Sequence, residues 1–341
     1  MTGVNIATTV PTEDPARSGE VFARLERIGY DTGFSFEAKH DPFLPLALAT
    51  QTTARLRLGT AVAIGFARNP MVLANVGYDL QQMSAGRFVL GLGSQIRPHI
   101  QNRFSEEWSR PAARMRELVS AVRAIWDCWE GASELRFDGE FYRHTLMTPA
   151  FDPGPNPYGP PPVFVGGFGP RMIEVAGEVA DGLIVHPFNS RHSLEQLVLP
   201  ALARGRAVVG RSAAAVEVVW VMMVVTWSTD QEHDVAIRSV KDQLAFYGST
   251  PAYAPVLEAH GYAELHADLN RMSKAGRWSE MAELIPDDFV EAVAVVGPRR
   301  EIAGKISARV SGITDRVSLV NNRNPDPALF ADIVADLRAL G

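Results

Sequence analysis

Apolar runs and amphipathic stretches alternate along this chain. The clearest unit is Leu58 to Gln95, LGTAVAIGFARNPMVLANVGYDLQQMSAGRFVLGLGSQ. Leu58 to Ile64 is apolar, and its Val and Ile suit a buried strand. Asn69-Pro70 predicts a helix start, because Asn caps free N–H groups and Pro has none to lose. Met71, Leu73, Val76, Leu80 and Met83 give that helix an apolar face. Ser84-Ala85-Gly86 ends it, Arg87 to Gly91 predicts the next strand, and Gly91-Leu92-Gly93-Ser94 is the loop at its end. Two buried strands joined by a helix form a parallel βαβ unit. Ligands of such sheets bind at the carboxyl ends of the strands.

The same alternation runs through the chain. Strands are predicted at 4–9, 32–36, 58–64, 87–91, 163–165, 183–186, 216–225 and 316–320, each followed by a helical stretch. Eight such units close into an α/β fold, the (β/α)8 TIM barrel, with function at the strand C-terminal ends. One domain over 1–341 is expected, with excursions near 96–110, 131–162 and 247–290. The first has little periodic pattern. The second holds a predicted hairpin around Asp138-Gly139 and the stretch TPAFDPGPNPYGPPP, too proline-rich for helix or central strand. Strand–helix alternation resumes directly after it, so it reads as an excursion and not an interdomain linker. Loop 96–110 and insert 131–162 are both expected to shape a substrate pocket. Val293 to Val296 is short and apolar and is not counted among the eight. Asp326 to Leu340 is the predicted closing helix.

Charge and cysteine content narrow the class. The formal net charge is −6, which argues against a nucleic-acid footprint. Cys128 is the single cysteine, so no intrachain disulfide forms, as suits a reducing cytosol. It lies beside Trp126 and Trp129 on an apolar helical run and reads as core. The N-terminus MTGVNIATTV lacks the pattern of a signal peptide, and no apolar run has membrane-spanning length. A cytoplasmic protein without membrane contact is expected.

Several catalytic signatures are missing: HExxH, GxSxG, the phosphate-loop lysine motif, zinc-type cysteine spacing and GxGxxG. No metal site is expected. The loop Gly166-Gly167-Phe168-Gly169-Pro170-Arg171 could hold an anion. Small residues admit a ligand to the backbone, and the helix beginning at Pro170 points free N–H groups and a positive dipole end at it. The loop reads equally as a tight turn with a surface arginine. Glu37 and His40 follow a predicted strand end, where His can move protons and Glu can orient it. On the residues alone, both also read as ordinary polar loop residues. His186 ends another strand, either lining a pocket or structurally bonded. Arg97 and His99 either face an anionic substrate or solvate their loop. Trp108, Tyr142 and Trp220 read as packing residues.

Taken together, these segments resemble the bacterial luciferase-like monooxygenase superfamily, and within it the oxidoreductases dependent on coenzyme F-420. The matching pieces are EAKHDPFLPLALAT (37–50), LGTAVAIGFARNP (58–70), DLQQMSAGRFVLGLGSQ (79–95), PAARMRELVSAVRAIW (111–126), PPVFVGGFGPRMIEVAGEVADGLIVHPF (161–188) and VVGPRREIAGKI (295–306). The resemblance implies a barrel that holds a deazaflavin, coenzyme F-420, or alternatively FMN, at its mouth. It implies a non-prolyl cis peptide at Ala61–Val62 behind the ring. Gly93, Ser94 and Gln95 are implied beside the ring, and Gly166, Gly167, Phe168, Gly169 and Arg171 at the cofactor phosphate. His40 is implied near the reactive ring carbon with Glu37 as its acidic partner. Their spacing departs from the commoner adjacent Asp-His pair. The reaction implied is hydride transfer between the deazaflavin and a small organic substrate. With FMN it becomes oxygen-using monooxygenation, and a non-catalytic flavin-binding protein is a further alternative. A homodimer is implied, and a separate reductase or dehydrogenase could supply reduced cofactor.

Overall fold

In the computed structural model, which describes residues 4–10, 13–227, 229–321 and 327–340, eight parallel strands close on themselves. They are β1 (Asn5–Val10), β2 (Thr32–Ser35), β3 (Arg57–Thr60), β4 (Phe88–Gly93), β5 (Val163–Gly167), β6 (Gly182–Val185), β7 (Glu217–Trp227) and β8 (Arg316–Val320). Each pairs with the next in the chain, and β8 returns to β1 with Asn5 opposite Arg316. The fold is the (β/α)8 barrel that the hydrophobic pattern predicts.

The intervening helices follow from local chemistry. Asn69 accepts a hydrogen bond from the Met71 N–H at 2.8 Å, and Pro70 opens the helix Pro70–Met83. The helix Pro111–Trp129 buries Met115, Leu118, Val122, Ile125, Trp126 and Trp129 on one face. Its Trp126 indole N–H donates to the Ala74 carbonyl, tying two neighbouring helices together.

Apart from shifts of one or two residues at strand ends, four boundaries differ from the sequence expectation. The strand expected over 58–64 breaks after Thr60 and resumes as the two-residue strand Ala63–Ile64 beside β4. The break holds the Ala61–Val62 peptide, which is cis. The loop after β4 contains a short helix, Arg97–Asn102, too brief to show a helical period. Val295–Pro298 is a strand that pairs with the far end of β7, Val224 opposite Val295, and thickens the barrel rim. Asp326 lies outside the described residues, and the closing helix is Ala331–Leu340.

The barrel is sealed below and open above. At the base Glu217 accepts from Arg57 at 2.8 Å and from Arg316 at 2.7 Å, and Arg316 also donates to Thr32. Above these lie Ala7, Phe34, Val89, Phe164, Ile184 and Val219, packed as one apolar plug. Helices between Asp230 and Val293 form a second core with Phe188, Met223 and Val225 above β6 and β7. That second core therefore walls one side of the mouth.

Candidate functional site

A cleft of about 1550 Å³ opens at the carboxyl ends of the strands. All eight strands supply it, through Thr8 of β1, Phe36 after β2, Ala61 and Val62 after β3, Gly93 of β4, Gly166 of β5, Ile184 of β6, Val221 of β7 and Leu319 of β8. The volume exceeds the roughly 300–1,000 Å³ of a pocket for one drug-sized ligand, so two molecules fit side by side.

The floor on the β3–β5 side is built from backbone. The Val62 side chain lies between Gly93 and Gly166. A Cβ on Gly93 would stand 2.5 Å from Val62 Cγ2, and one on Gly166 would stand 2.8 Å from Val62 Cγ1. Only glycine leaves Val62 in place. Gly169 has φ +79° and open space beside it, and no side chain caps the helix Pro170–Val179. Its first N–H groups are thus free for an anion. A flat ring over Val62 with a phosphate at this helix end fits these residues.

Glu37 holds this floor from behind. Its carboxylate accepts from the Ile64 N–H at 2.7 Å and from Arg68 at 2.5 Å, while Arg68 also reaches Asp41 at 3.0 Å. The Glu37 N–H donates to the Val62 carbonyl. These bonds replace ladder contacts where β3 is interrupted. The Glu37 side chain is 6% exposed and does not line the cleft. His40 is exposed and also outside the lining. Its loop is tied to the cleft rim by Lys39 on Glu13 at 3.0 Å, and Arg103 donates to the Ala38 carbonyl at 2.6 Å. The structure brings Ala61, Val62, Gly93, Ser94, Gln95, Gly166, Gly167, Phe168, Gly169 and Arg171 together in one cleft. It does not bring Glu37 or His40 into that set.

The adjoining wall, beside the end of β5, is aromatic. His186, at the end of β6, is half-buried on the cleft wall, and desolvation pushes its imidazole down to about 3, so the ring is neutral near pH 7. Nδ1 accepts from the Phe188 N–H at 3.2 Å, and Nε2 lies 3.2 Å from the Tyr253 hydroxyl. Phe168, Tyr247 and Tyr253 surround it, with ring centroids 5.6, 4.7 and 4.7 Å away. Burial pushes the Tyr253 phenol up to about 12. Tyr247 and Tyr253 escape a sequence reading because they lie on the helical excursion, where nothing in the local pattern ties them to strand ends. The insert 131–162, expected to shape the pocket, contributes no described lining residue. Its Tyr158 packs instead near Gly86, before β4.

The rim carries Arg97, Arg110, Arg116 and Arg171. Arg110 pairs with Glu140 and Arg116 with Glu178, whereas Arg97 and Arg171 have no ion pair among the described residues. The two rim carboxylates are already matched, Glu13 by Lys39 and Glu174 by Arg204. The rim therefore presents net positive charge. No group of His, Cys, Asp and Glu among the described residues could hold a metal, and no described helix is long and apolar enough to cross a membrane.

The family model described as luciferase-like monooxygenase matches residues 1–316. The chain belongs to that family. An uncharacterized protein of Mycobacterium tuberculosis is 52% identical over 302 residues, 89% of each chain. The 5,10-methylenetetrahydromethanopterin reductase of Archaeoglobus fulgidus is 27% identical over 282 residues, 80% of this chain and 78% of that one. Among solved structures, the coenzyme F-420-dependent tetrahydromethanopterin reductase of Methanopyrus kandleri superposes with a TM-score of 0.78 at 21% identity, covering 98% of this chain and 97% of that one. Members of this luciferase-like family are oxidoreductases or monooxygenases that depend on coenzyme F-420 or a flavin, and this chain is an enzyme of that kind.

Proposed function

We propose that this luciferase-like protein is an oxidoreductase that uses coenzyme F-420 and acts on a small organic molecule. The observation that carries the reading is the cationic rim beside an uncapped helix end. Arg97 and Arg171 line the same cleft as the Gly166–Gly169 loop and have no carboxylate partner among the described residues. The deazaflavin coenzyme bears a long anionic tail beyond its phosphate, whereas FMN ends at the phosphate. A rim with unmatched positive charge in addition to one phosphate site favours the longer anion.

When bound, the deazaflavin supplies or accepts a hydride at its ring carbon. The chain's own residues do the rest. Val62, held between Gly93 and Gly166, supports the ring from beneath. Glu37 positions Val62 through Ile64 and Arg68. The first N–H groups of the helix Pro170–Val179 bind the phosphate. His40 as proton carrier is a separate proposal, because its exposed side chain is not among the residues that line the cleft.

Titration of the purified apoprotein with coenzyme F-420 and with FMN, followed by fluorescence, tests the reading. Submicromolar binding of the deazaflavin with weaker FMN binding is expected. Tight binding of FMN alone would sink it and direct attention to oxygen-consuming assays.

A further inference from the structure

The aromatic wall holds a hydrogen-bond chain whose direction is fixed. The Phe188 N–H donates to His186 Nδ1, so that nitrogen carries no proton. A neutral imidazole then carries its proton on Nε2. Nε2 is 3.2 Å from the Tyr253 oxygen, so His186 is the donor and Tyr253 the acceptor in that contact. The phenolic proton of Tyr253 must point elsewhere. Tyr253 lines the cleft, and its hydroxyl bonds to no second partner among the described residues. His186 has nothing left to accept with. The wall therefore offers a ligand one donor and no competing acceptor on the imidazole.

The surroundings narrow the ligand further. Phe168 and Tyr253 meet edge to face at 4.3 Å between centroids, and Tyr247 packs against His186 at 4.7 Å. These rings offer apolar faces to a flat body. The cleft residues contributed by β6 and the helical excursion include no Asp, Glu, Lys or Arg, and every cleft arginine lies on segments 97–116 or at Arg171. An ionised group on the substrate would have no partner at this wall.

We propose that Tyr253 is the hydrogen-bond and proton donor to the substrate, and that the substrate is a flat, uncharged, conjugated carbonyl compound. This rests on the reading that the β3–β5 floor holds a reduced deazaflavin. Hydride from the deazaflavin adds to the carbonyl carbon as the C=O π bond breaks. The oxygen takes the proton of Tyr253, giving an alcohol, and the deazaflavin is oxidised by two electrons. The resulting phenolate keeps its hydrogen bond from His186 Nε2–H until water in the cleft returns a proton. His186 does not change its protonation; it is a positioning residue that aims the phenol. Tyr253 is held protonated by its burial, so it is a donor throughout the neutral range.

The test uses the apoprotein and 4-(dimethylamino)cinnamaldehyde, whose visible band moves to longer wavelength when its aldehyde oxygen accepts a strong hydrogen bond. Wild-type protein is expected to bind the aldehyde with a red-shifted band. Tyr253→Phe, shown by circular dichroism to be folded, is expected to bind about fivefold more weakly, the scale of one neutral hydrogen bond, and to lose the red shift. Tyr247→Phe should keep the shift. His186→Phe should keep binding and lose part of the shift. A wild-type protein that does not bind the aldehyde, or binds it without a shift, overturns the proposal even if no variant folds. So does a Tyr253→Phe protein that retains the shift, or a Tyr247→Phe protein that loses it. Coenzyme F-420 titration of the same preparations separates the two readings. Deazaflavin binding without the aldehyde shift removes only the Tyr253 assignment. The aldehyde shift without deazaflavin binding removes the cofactor reading.

Discussion

The two walls of the cleft are made from different materials. The β3–β5 wall is backbone: Gly93 and Gly166 around one valine and Gly169 at the helix start, with Glu37 and Arg68 bracing it from behind. The β6 wall is side chain: Phe168, His186, Tyr247 and Tyr253 converging from separate elements. Backbone walls suit a large ligand that is the same in every turnover, because glycine contacts tolerate little change. Side-chain walls can be exchanged residue by residue without breaking the strand ladder. Under the proposed function, the constant partner, the cofactor, belongs to the backbone wall and the variable partner, the substrate, to the aromatic one.

The largest expected way to break this comparison is Glu37→Gln. It leaves Arg68 with Asp41 as its one carboxylate partner among the described residues, beside the Ile64 carbonyl. Removing one member of a buried ion pair costs roughly 3 kcal/mol, and the thermal midpoint should fall accordingly. An unchanged midpoint would show that Glu37 does not brace the floor. In an F-420-dependent reduction of a conjugated carbonyl substrate, Tyr253→Phe should lower kcat about a hundredfold, the low end for a general acid, with less change in KM. His40→Ala should give the smaller loss in the same assay, and the reverse order would return the proton role to the β2 loop.

Gly93→Ala pushes on Val62 and should cost about 1–3 kcal/mol of stability by overpacking, with about a tenfold loss in deazaflavin affinity. The aldehyde probe should bind it nearly as it binds the wild type, because the other wall is untouched. Equal losses of both ligands would mean that the two walls are not separate.

His186 gives a pH signature. Its folded-state value, about 3, lies below the ordinary 6.5. The unfolded chain therefore binds a proton in that window that the folded chain does not. Stability from this group is complete above 6.5 and declines as pH falls toward 3. Unfolding measured across that range should show His186→Phe less acid-sensitive than wild type. The smallest effect is at the rim. Arg97→Gln or Arg171→Gln should weaken deazaflavin binding about twofold to fivefold at low salt and less at high salt, with little effect on FMN.

Much of the backbone wall is legible in the sequence. Glycines at 93, 166 and 167 form the carboxyl ends of the apolar strands β4 and β5, Gly169 follows β5, and local composition places them at the mouth. The Ala61–Val62 cis peptide follows from the family resemblance in that segment, and the structure has it. The same resemblance implies His40 beside the cofactor; in the structure its side chain is exposed outside the cleft lining, and its loop is tied by Lys39 to Glu13 and by Arg103 to the Ala38 carbonyl. Those contacts come from residues 26 positions before and 65 positions after their partners, beyond the reach of a local pattern. The proline-rich insert reads as pocket-forming because excursions often are, yet its Tyr158 sits near Gly86, away from the mouth.

The sequence by itself determined the barrel, since apolar period and turn chemistry are properties of neighbouring residues and eight βα units have one way to close. It also determined the glycine wall, which lies within those units. Only the tertiary structure decided the aromatic wall. Tyr247 and Tyr253 reach His186 across about sixty residues of chain, through a helical core that packs on β6 and β7. The tautomer of His186, and with it the direction of the Tyr253 proton, is set by a backbone N–H whose role no sequence period records.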